Sequence, residues 1–274
     1  MKRFLIPTDF SETSKNAAIF AAQMLHGKPG KEIILFYMME GTDKDITLEE
    51  AAEDQDEMDI LKRALEVLKL EMAELSNVEI STVITNGSSL VQSICSYVKH
   101  QGIDMVIMGI TGASKLEQLL IGSNTLKLVH EGVCPVMIIP PDATFNGIKT
   151  TGFTSDFKNV DHTTPVAPIK KLLDLFNPKM YIINVDVEHY VEITDEYKIE
   201  REKLATHFSD YDPEFAFMRL YDFPEAINMF ANDKVIDFII TVPKSHGFLS
   251  SIFHSSTTKK LAYHSHVPIV AIHE

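Results

Sequence analysis

The chain is short of several things. Cysteine occurs twice in 274 residues, at Cys95 and Cys134, and neither stands in a CxxC pair. Two such thiols build no disulfide framework, so a reduced, cytoplasmic setting is the expectation, with each thiol read as a small buried hydrophobe. No apolar run reaches the roughly 18 residues of a membrane span. The start holds only Phe4-Leu5-Ile6 before Pro7, too short an apolar core for a signal peptide. Positive charge is scarce: 25 Lys and Arg stand against 39 Asp and Glu, a net charge of −14. Such a field repels phosphate backbones and anionic lipid, so neither nucleic acid nor membrane is an expected partner. It does not exclude a phosphate ligand held locally by backbone N–H groups. What the chain does have is apolar content, 45%, enough for a packed core and too much for overall disorder.

It is also written twice. Pro7-Thr8-Asp9-Phe10-Ser11 has a counterpart in Thr154-Ser155-Asp156-Phe157-Lys158, so that Asp9 and Asp156 lie 147 positions apart. The same offset lays Ile34-Leu35-Phe36 on Tyr181-Ile182-Ile183. Further on the offset falls to 133: Ile103-Asp104-Met105-Val106-Ile107 matches Ile236-Asp237-Phe238-Ile239-Ile240, and Cys134-Pro135-Val136-Met137-Ile138 matches Val267-Pro268-Ile269-Val270-Ala271. The second copy is therefore 14 residues shorter, the loss falling between its second and fourth strands. This period is far too long for a solenoid. It reads as two domains of one fold, 1–143 and 144–274, joined near 141–149.

Within the first copy, strand and helix signals alternate. Phe4–Ile6, Ile33–Met39, Val78–Thr85, Met105–Met108 and Val136–Ile139 read as strands; Ser11–Leu25, Leu48–Leu75, Ser89–Lys99 and Ser123–His130 read as helices, the first with Ser11 as N-cap. Continuous apolar strands separated by helices give a doubly wound parallel sheet covered on both faces, an α/β fold. Ligands of such sheets lie outside the carboxyl ends of the strands. Residues 40–59 depart from this regularity, with ten acidic residues and one lysine. A run of this kind reads first as a solvated loop and helix start, and second as a flap or partner surface.

The chemistry sits after the strand Met105–Met108. Gly109 and Gly112 follow it directly, and Gly122-Ser123-Asn124-Thr125 opens the next helix. Glycines there permit positive φ or close backbone approach to a ligand. A helix start offers free N–H groups and the positive end of the dipole to an anion, with Ser123 and Thr125 adding hydroxyls. The segment is neither GxxxxGK[ST] nor GxGxxG. On their own, two glycines near a strand more often only turn the chain.

Taken together, Gly109-x2-Gly112-x9-Gly122-Ser123 resembles the ATP-binding signature of the universal stress protein family, and Pro7-Thr8-Asp9-Phe10-Ser11-Glu12-Thr13 resembles that family's first-strand motif. Gly87 and Pro135 fit as well, and the resemblance covers the whole chain as a tandem pair. It implies two five-stranded sheets of the nucleotide-binding α-hydrolase-like, Rossmann-like kind, with strand order 3-2-1-4-5. It implies ATP as ligand, with Mg²⁺ or Mn²⁺ on the phosphates. Pro7, Thr8 and Asp9 would lie beside adenine and ribose, and Tyr37 would offer backbone groups to the adenine edge. Met108, Gly109, Thr111 and Gly112 would line ribose and phosphates, and Gly122, Ser123, Asn124 and Thr125 would hold the phosphates. An N-cap role for Asp9 is the competing reading. The resemblance also implies pairing of the two domains through their last strands, and allows a homodimer.

In the second copy Gly109, Gly112 and Gly122 become Val242, Ser245 and Ser255. A β-branched residue disfavours positive φ and fills the space a phosphate would approach, so one ATP per chain is expected. His246, His254, His264 and His266 lack the spacing of a zinc site. No GxSxG or HExxH occurs, nor the HxGH and SGGxDS motifs of adenylyl-transferring relatives. A nucleotide-dependent switch or binding protein is thus the leading reading. The alternatives are a slow ATP hydrolase or nucleotidyl-transferring enzyme, and a ligand-free structural partner protein.

Overall fold

The computed structural model describes residues 1–40, 48–110, 122–186, 194–219, 223–243 and 267–273. The first half runs β1 (Arg3–Pro7), α1 (Glu12–Leu25), β2 (Glu32–Glu40), α2 (Leu48–Leu75), β3 (Glu79–Gly87), α3 (Leu90–Gln101), β4 (Met105–Gly109), α4 (Ser123–Glu131) and β5 (Val136–Ile139). The second runs β6 (Thr150–Thr154), α5 (Val160–Thr163), α6 (Val166–Phe176), β7 (Lys179–Asp186), α7 (Asp195–His207), β8 (Glu214–Arg219), α8 (Phe223–Lys234), β9 (Phe238–Thr241) and β10 (Ile269–Ala271). Among the described residues no helix is long and apolar enough to cross a membrane.

Local chemistry explains the starts and stops. The Ser11 hydroxyl accepts the Ser14 N–H and caps α1, and Ser89 caps α3 in the same way. Helix α3 ends at Gly102 and α4 at Gly132, both left-handed, where glycine carries no Cβ penalty. The counterpart of α1 is split into α5 and α6 at Thr164-Pro165, because proline clashes with the preceding helical turn. Glu200 of α7 then accepts the Val160 N–H at 2.7 Å and takes the place of a capping side chain.

The strand order is β3-β2-β1-β4-β5-β10-β9-β6-β7-β8. Each half therefore reads 3-2-1-4-5, parallel throughout, as the resemblance implied. The halves are not two separate sheets, however: β5 and β10 pair antiparallel, Val136 with Ala271, Met137 with Val270 and Ile138 with Ile269. One ten-stranded sheet results. Its seam joins two short apolar strands whose edges would otherwise be exposed templates for aggregation. The duplication holds in register: β6 lies 147 residues after β1, and β9 begins 133 after β4. β8 begins 135 after β3, so nearly all the lost residues come from α2, 28 residues long, against 13 in α7.

One face of the sheet is covered by α1, α2, α6 and α7, with Ala17, Ala21, Leu65, Leu68, Met72, Ile169, Leu172 and Leu204 in a core that crosses the seam at Met137 and Val270. The other face carries Ile94, Val98, Leu128 and Val129 from α3 and α4, and Ile227 and Phe230 from α8. Side chains of α1 and of the turn after it hold the connection and the halves together. Asn16 donates to the carbonyls of Pro140 and Ala143 at 3.0 and 3.1 Å. Phe20 meets Phe145 edge-on, and the Lys28 ammonium donates to the Leu175 carbonyl at 2.9 Å above the Phe176 ring. A second duplicated device ties the strand starts. Asp104 accepts the N–H groups of Lys2 and Arg3 at 2.7 and 3.1 Å, and Asp237 accepts those of Lys149 and Thr150 at 2.6 and 2.8 Å.

Candidate functional site

β1 lies between β2 and β4, so the crevice at the carboxyl ends of β1 and β4 is the switch point of the first half. Proline helps open it. Successive strand residues direct their backbone groups to opposite sides, and the Thr8 N–H donates to Phe36 of β2 at 2.9 Å. Pro7 therefore faces β4 and has no N–H to give it. The β1–β4 register accordingly ends at Leu5 and Val106.

The segment after β1 is a compact hydroxyl and carboxylate turn. The Thr8 side chain, buried, accepts the Phe10 N–H at 3.0 Å and shares a hydrogen bond with the Ser14 hydroxyl at 3.1 Å. Asp9 is exposed, and one of its oxygens accepts from both the N–H and the hydroxyl of Ser11, at 3.0 and 2.5 Å. Asp9 thus shapes the turn that leads into α1, while Ser11 is the cap. Phe10 sits at φ +59°, unusual for a bulky side chain, and stacks on Tyr37 with ring centroids 5.2 Å apart. Burial raises the Tyr37 phenol above its ordinary pKa, and the carboxylates of Glu57, Asp9 and Glu40 raise it further. The end of the candidate site beside β1 and β2 is therefore an aromatic pair with an acidic surround. The sequence reading missed Phe10; the Asp-Phe pair repeated at Asp156-Phe157 was the available signal, since Phe157 too has positive φ, +53°.

At the end of β4, Met108 is buried and Gly109 lies against α1. A Cβ on Gly109 would stand 2.7 Å from the Thr13 carbonyl oxygen and 2.9 Å from its carbon. Gly109 is not among the described residues with positive φ. Close backbone approach accounts for this glycine, and the first neighbour it admits is helix α1. Ile110 donates to Ile139 at 3.1 Å, and the Gly122 N–H donates to the Ile110 carbonyl at 2.7 Å. Thr111 and Gly112 lie outside the described residues, as do Ser245, Ser255 and His246, His254, His264 and His266 of the second half.

Gly122 is the N-cap of α4 and supplies no side-chain cap. The first N–H groups of that helix are left for water or a ligand. Ser123 and Asn124 are exposed beside them. Thr125 differs from them: it is buried, and its hydroxyl donates to the Gly109 carbonyl at 3.4 Å, fastening the helix start to the strand end. Leu128 and Val129 anchor the same helix beneath. The structure thus brings together Pro7–Asp9, Met108–Gly109 and the Gly122–Thr125 turn around one crevice, with Tyr37 on the neighbouring strand. Among the described residues no group of three His, Cys, Asp or Glu could hold a metal ion unaided.

The corresponding place in the second half is built differently. Val242, buried, stands where Gly109 does, and Asn184 stands at the position of Tyr37, donating to the Ser155 carbonyl at 2.9 Å. Phe157 is 2% exposed and meets the rings of Tyr197, Phe215 and Phe217 at 5.0, 6.0 and 5.5 Å. Among the described residues Phe10 stacks on Tyr37 alone, whereas Phe157 is the centre of an aromatic cluster.

Comparison with known proteins agrees with this fold. A universal stress protein of Bacillus subtilis is 28% identical over 83 residues, 30% of this chain, and this chain spans only about half of that relative, 55% of its length. One from Methanocaldococcus jannaschii is 26% identical over 140 residues, covering 50% of this chain and 81% of that protein. The crystal structure of a universal stress protein from Archaeoglobus fulgidus superposes over 99% of this chain and 96% of its own with a TM-score of 0.68, at 19% identity, which shows a shared fold. The model of the universal stress protein family matches residues 1–140, and the chain belongs to that family.

Proposed function

We propose that this protein binds one ATP per chain in the unit 1–143 and acts as a nucleotide-dependent stress-response switch or binding protein. The carrying observation is the uncapped start of α4, opened by Gly122 and fastened to β4 by Thr125 at the switch point. That arrangement suits an anion without demanding basic side chains. It also suits a half whose net charge is −9, from 12 basic and 21 acidic residues in 1–143. Gly109 and Gly122 would line the phosphates, with N–H groups and the Ser123 hydroxyl donating to them. The adenine would lie toward Phe10 and Tyr37. Mg²⁺ or Mn²⁺, if it accompanies ATP, would take most of its ligands from the phosphates, since the described residues offer no cluster of their own.

In the same reading, 144–274 is a second unit of the same fold that has given up the site. Phe157 and Val242 fill its crevice, and pairing through β5 and β10 makes it the fixed partner of the first unit. The thiols belong to a reducing, cytoplasmic setting as unreactive groups: Cys95 is buried, and burial pushes the Cys134 thiol up to about 12.

The test is thermal unfolding with and without Mg-ATP. At 100 times its Kd, a ligand adds about 2.7 kcal/mol. The rise should vanish in Gly122→Val, whose branched side chain would stand over the helix start. No rise with any nucleotide would overturn the proposal.

A further inference from the structure

Helix α2 is where the two halves differ most, and it carries an aliphatic line that the core does not use. Leu61, Leu65, Leu68 and Met72 are buried, whereas Ile60, Val67 and Leu70 are 64%, 55% and 58% exposed. At about 100° per residue, Ile60 and Val67 nearly superpose in projection and Leu70 lies about 60° beyond, so the three form one stripe about 15 Å long. Isolated exposed aliphatics need no explanation, but three along one face of one helix make a patch. Asp56, Glu71 and Glu74 stand exposed on the same side, and no ion pair engages them among the described residues. Asp59 and Glu66, on the flank, are paired with Lys62 and Lys69 at 3.5 and 3.3 Å. As a whole α2 holds ten acidic and three basic residues, net −7, while the short α7 holds four and three, net −1. Arg63 is exposed on the same face between Ile60 and Val67, so the surface carries one cation within its aliphatic line and carboxylates along its rim, and it is confined to the half that carries the candidate site.

We propose that this face of α2 docks a helical segment of another protein that is apolar along one line and rich in lysine and arginine beside it. The apolar line supplies contact area, and the unpaired carboxylates supply steering and selection for basic flanks. A second copy of this chain is the wrong occupant, because it would set one helix of net −7 against another. The proposal does not depend on nucleotide binding.

The test uses the full chain and two synthetic amphipathic peptides of about five helical turns, one of leucine and lysine, the other of leucine and glutamate. Fluorescence anisotropy at physiological salt should show binding of the lysine peptide and none of the glutamate peptide. Val67→Ser combined with Leu70→Ser should weaken binding about tenfold or more, from the loss of two apolar contacts. Both positions are exposed, so the unfolding midpoint should stay close to that of the wild type. Met229→Ser, a 56% exposed position on α8, should leave binding unchanged. Failure of the lysine peptide to bind, or equal binding to the double variant, overturns the proposal. So does sedimentation showing a dimer that the double variant dissolves, since the occupant would then be a second copy.

Discussion

Replacing Gly109 by alanine adds one methyl group at the floor of the candidate site. Its Cβ would stand 2.7 Å from the Thr13 carbonyl oxygen and 2.9 Å from its carbon, where ordinary contact begins at 3.4 Å. The obstruction is backbone, so no side-chain rotation relieves it. Either α1 retreats or the end of β4 bends. Helix α1 is held by Ala17, Ala18, Ala21 and Ala22, all buried without exposure, and an over-packed site of this kind costs about 1–3 kcal/mol. At about 2–4 °C per kcal/mol for a unit of this size, the midpoint of thermal unfolding should fall by roughly 2–12 °C. ATP affinity should fall with it, because the same shift displaces the Gly109 carbonyl that holds Thr125. Gly122→Ala is the natural comparison: φ −56° and ψ 142° at Gly122 suit any residue, so only a cap is altered and the cost should be about 1 kcal/mol. Urea unfolding and ATP titration of both variants measure these terms. An unchanged midpoint and unchanged affinity in Gly109→Ala would refute the close approach of α1 as the reason for this glycine.

Other consequences are equally direct. Burial pushes the Asp104 carboxyl up, but the N–H groups of Lys2 and Arg3 pull it further down, so it rests below its ordinary value. Its contribution is therefore present above about pH 4 and lost as pH falls through the folded pKa; Asp104→Ala should cost about 1.5–3 kcal/mol at pH 7 and progressively less below pH 4, measured by urea unfolding across pH. Phe157→Ala should cost about 3–5 kcal/mol by emptying the aromatic cluster, without changing ATP stoichiometry. Val270→Asp would bury an unpaired carboxylate at the seam between β5 and β10 and should cost more than about 3 kcal/mol, read as a lowered urea midpoint.

The strands and helices of the first half were legible because each signal was local. Apolar runs between helical patterns placed β1, β2, β4 and β5 within a residue or two, and Leu48–Leu75 matched α2 end for end. The repeat placed the second half without further information. What a linear reading could not supply were contacts between distant segments. Gly109 was expected to admit a ligand or turn the chain, yet its nearest neighbour is the Thr13 carbonyl, 96 residues earlier. Thr125 was counted with the phosphate donors, yet its hydroxyl turns inward to Gly109. Residue type announced a hydroxyl at a helix start; only burial shows which way it points. The Asp104 and Asp237 latches were visible as a repeated Ile-Asp pair, but their partners at Lys2 and Lys149 depend on sheet order. The meeting of β5 and β10 across 133 residues, which joins two sheets into one, was implied by the family resemblance and not by the residues themselves.

Equilibrium dialysis of the intact chain against Mg-ATP, with phosphorus or absorbance counting of bound nucleotide, bears most directly on the central claim. One ATP per chain, abolished by Gly122→Val, is the result expected of an open crevice in the first unit and a filled one in the second; Phe157→Ala should leave it at one, because Val242 still stands where Gly109 does in the first unit. No bound ATP, or two per chain, would contradict it.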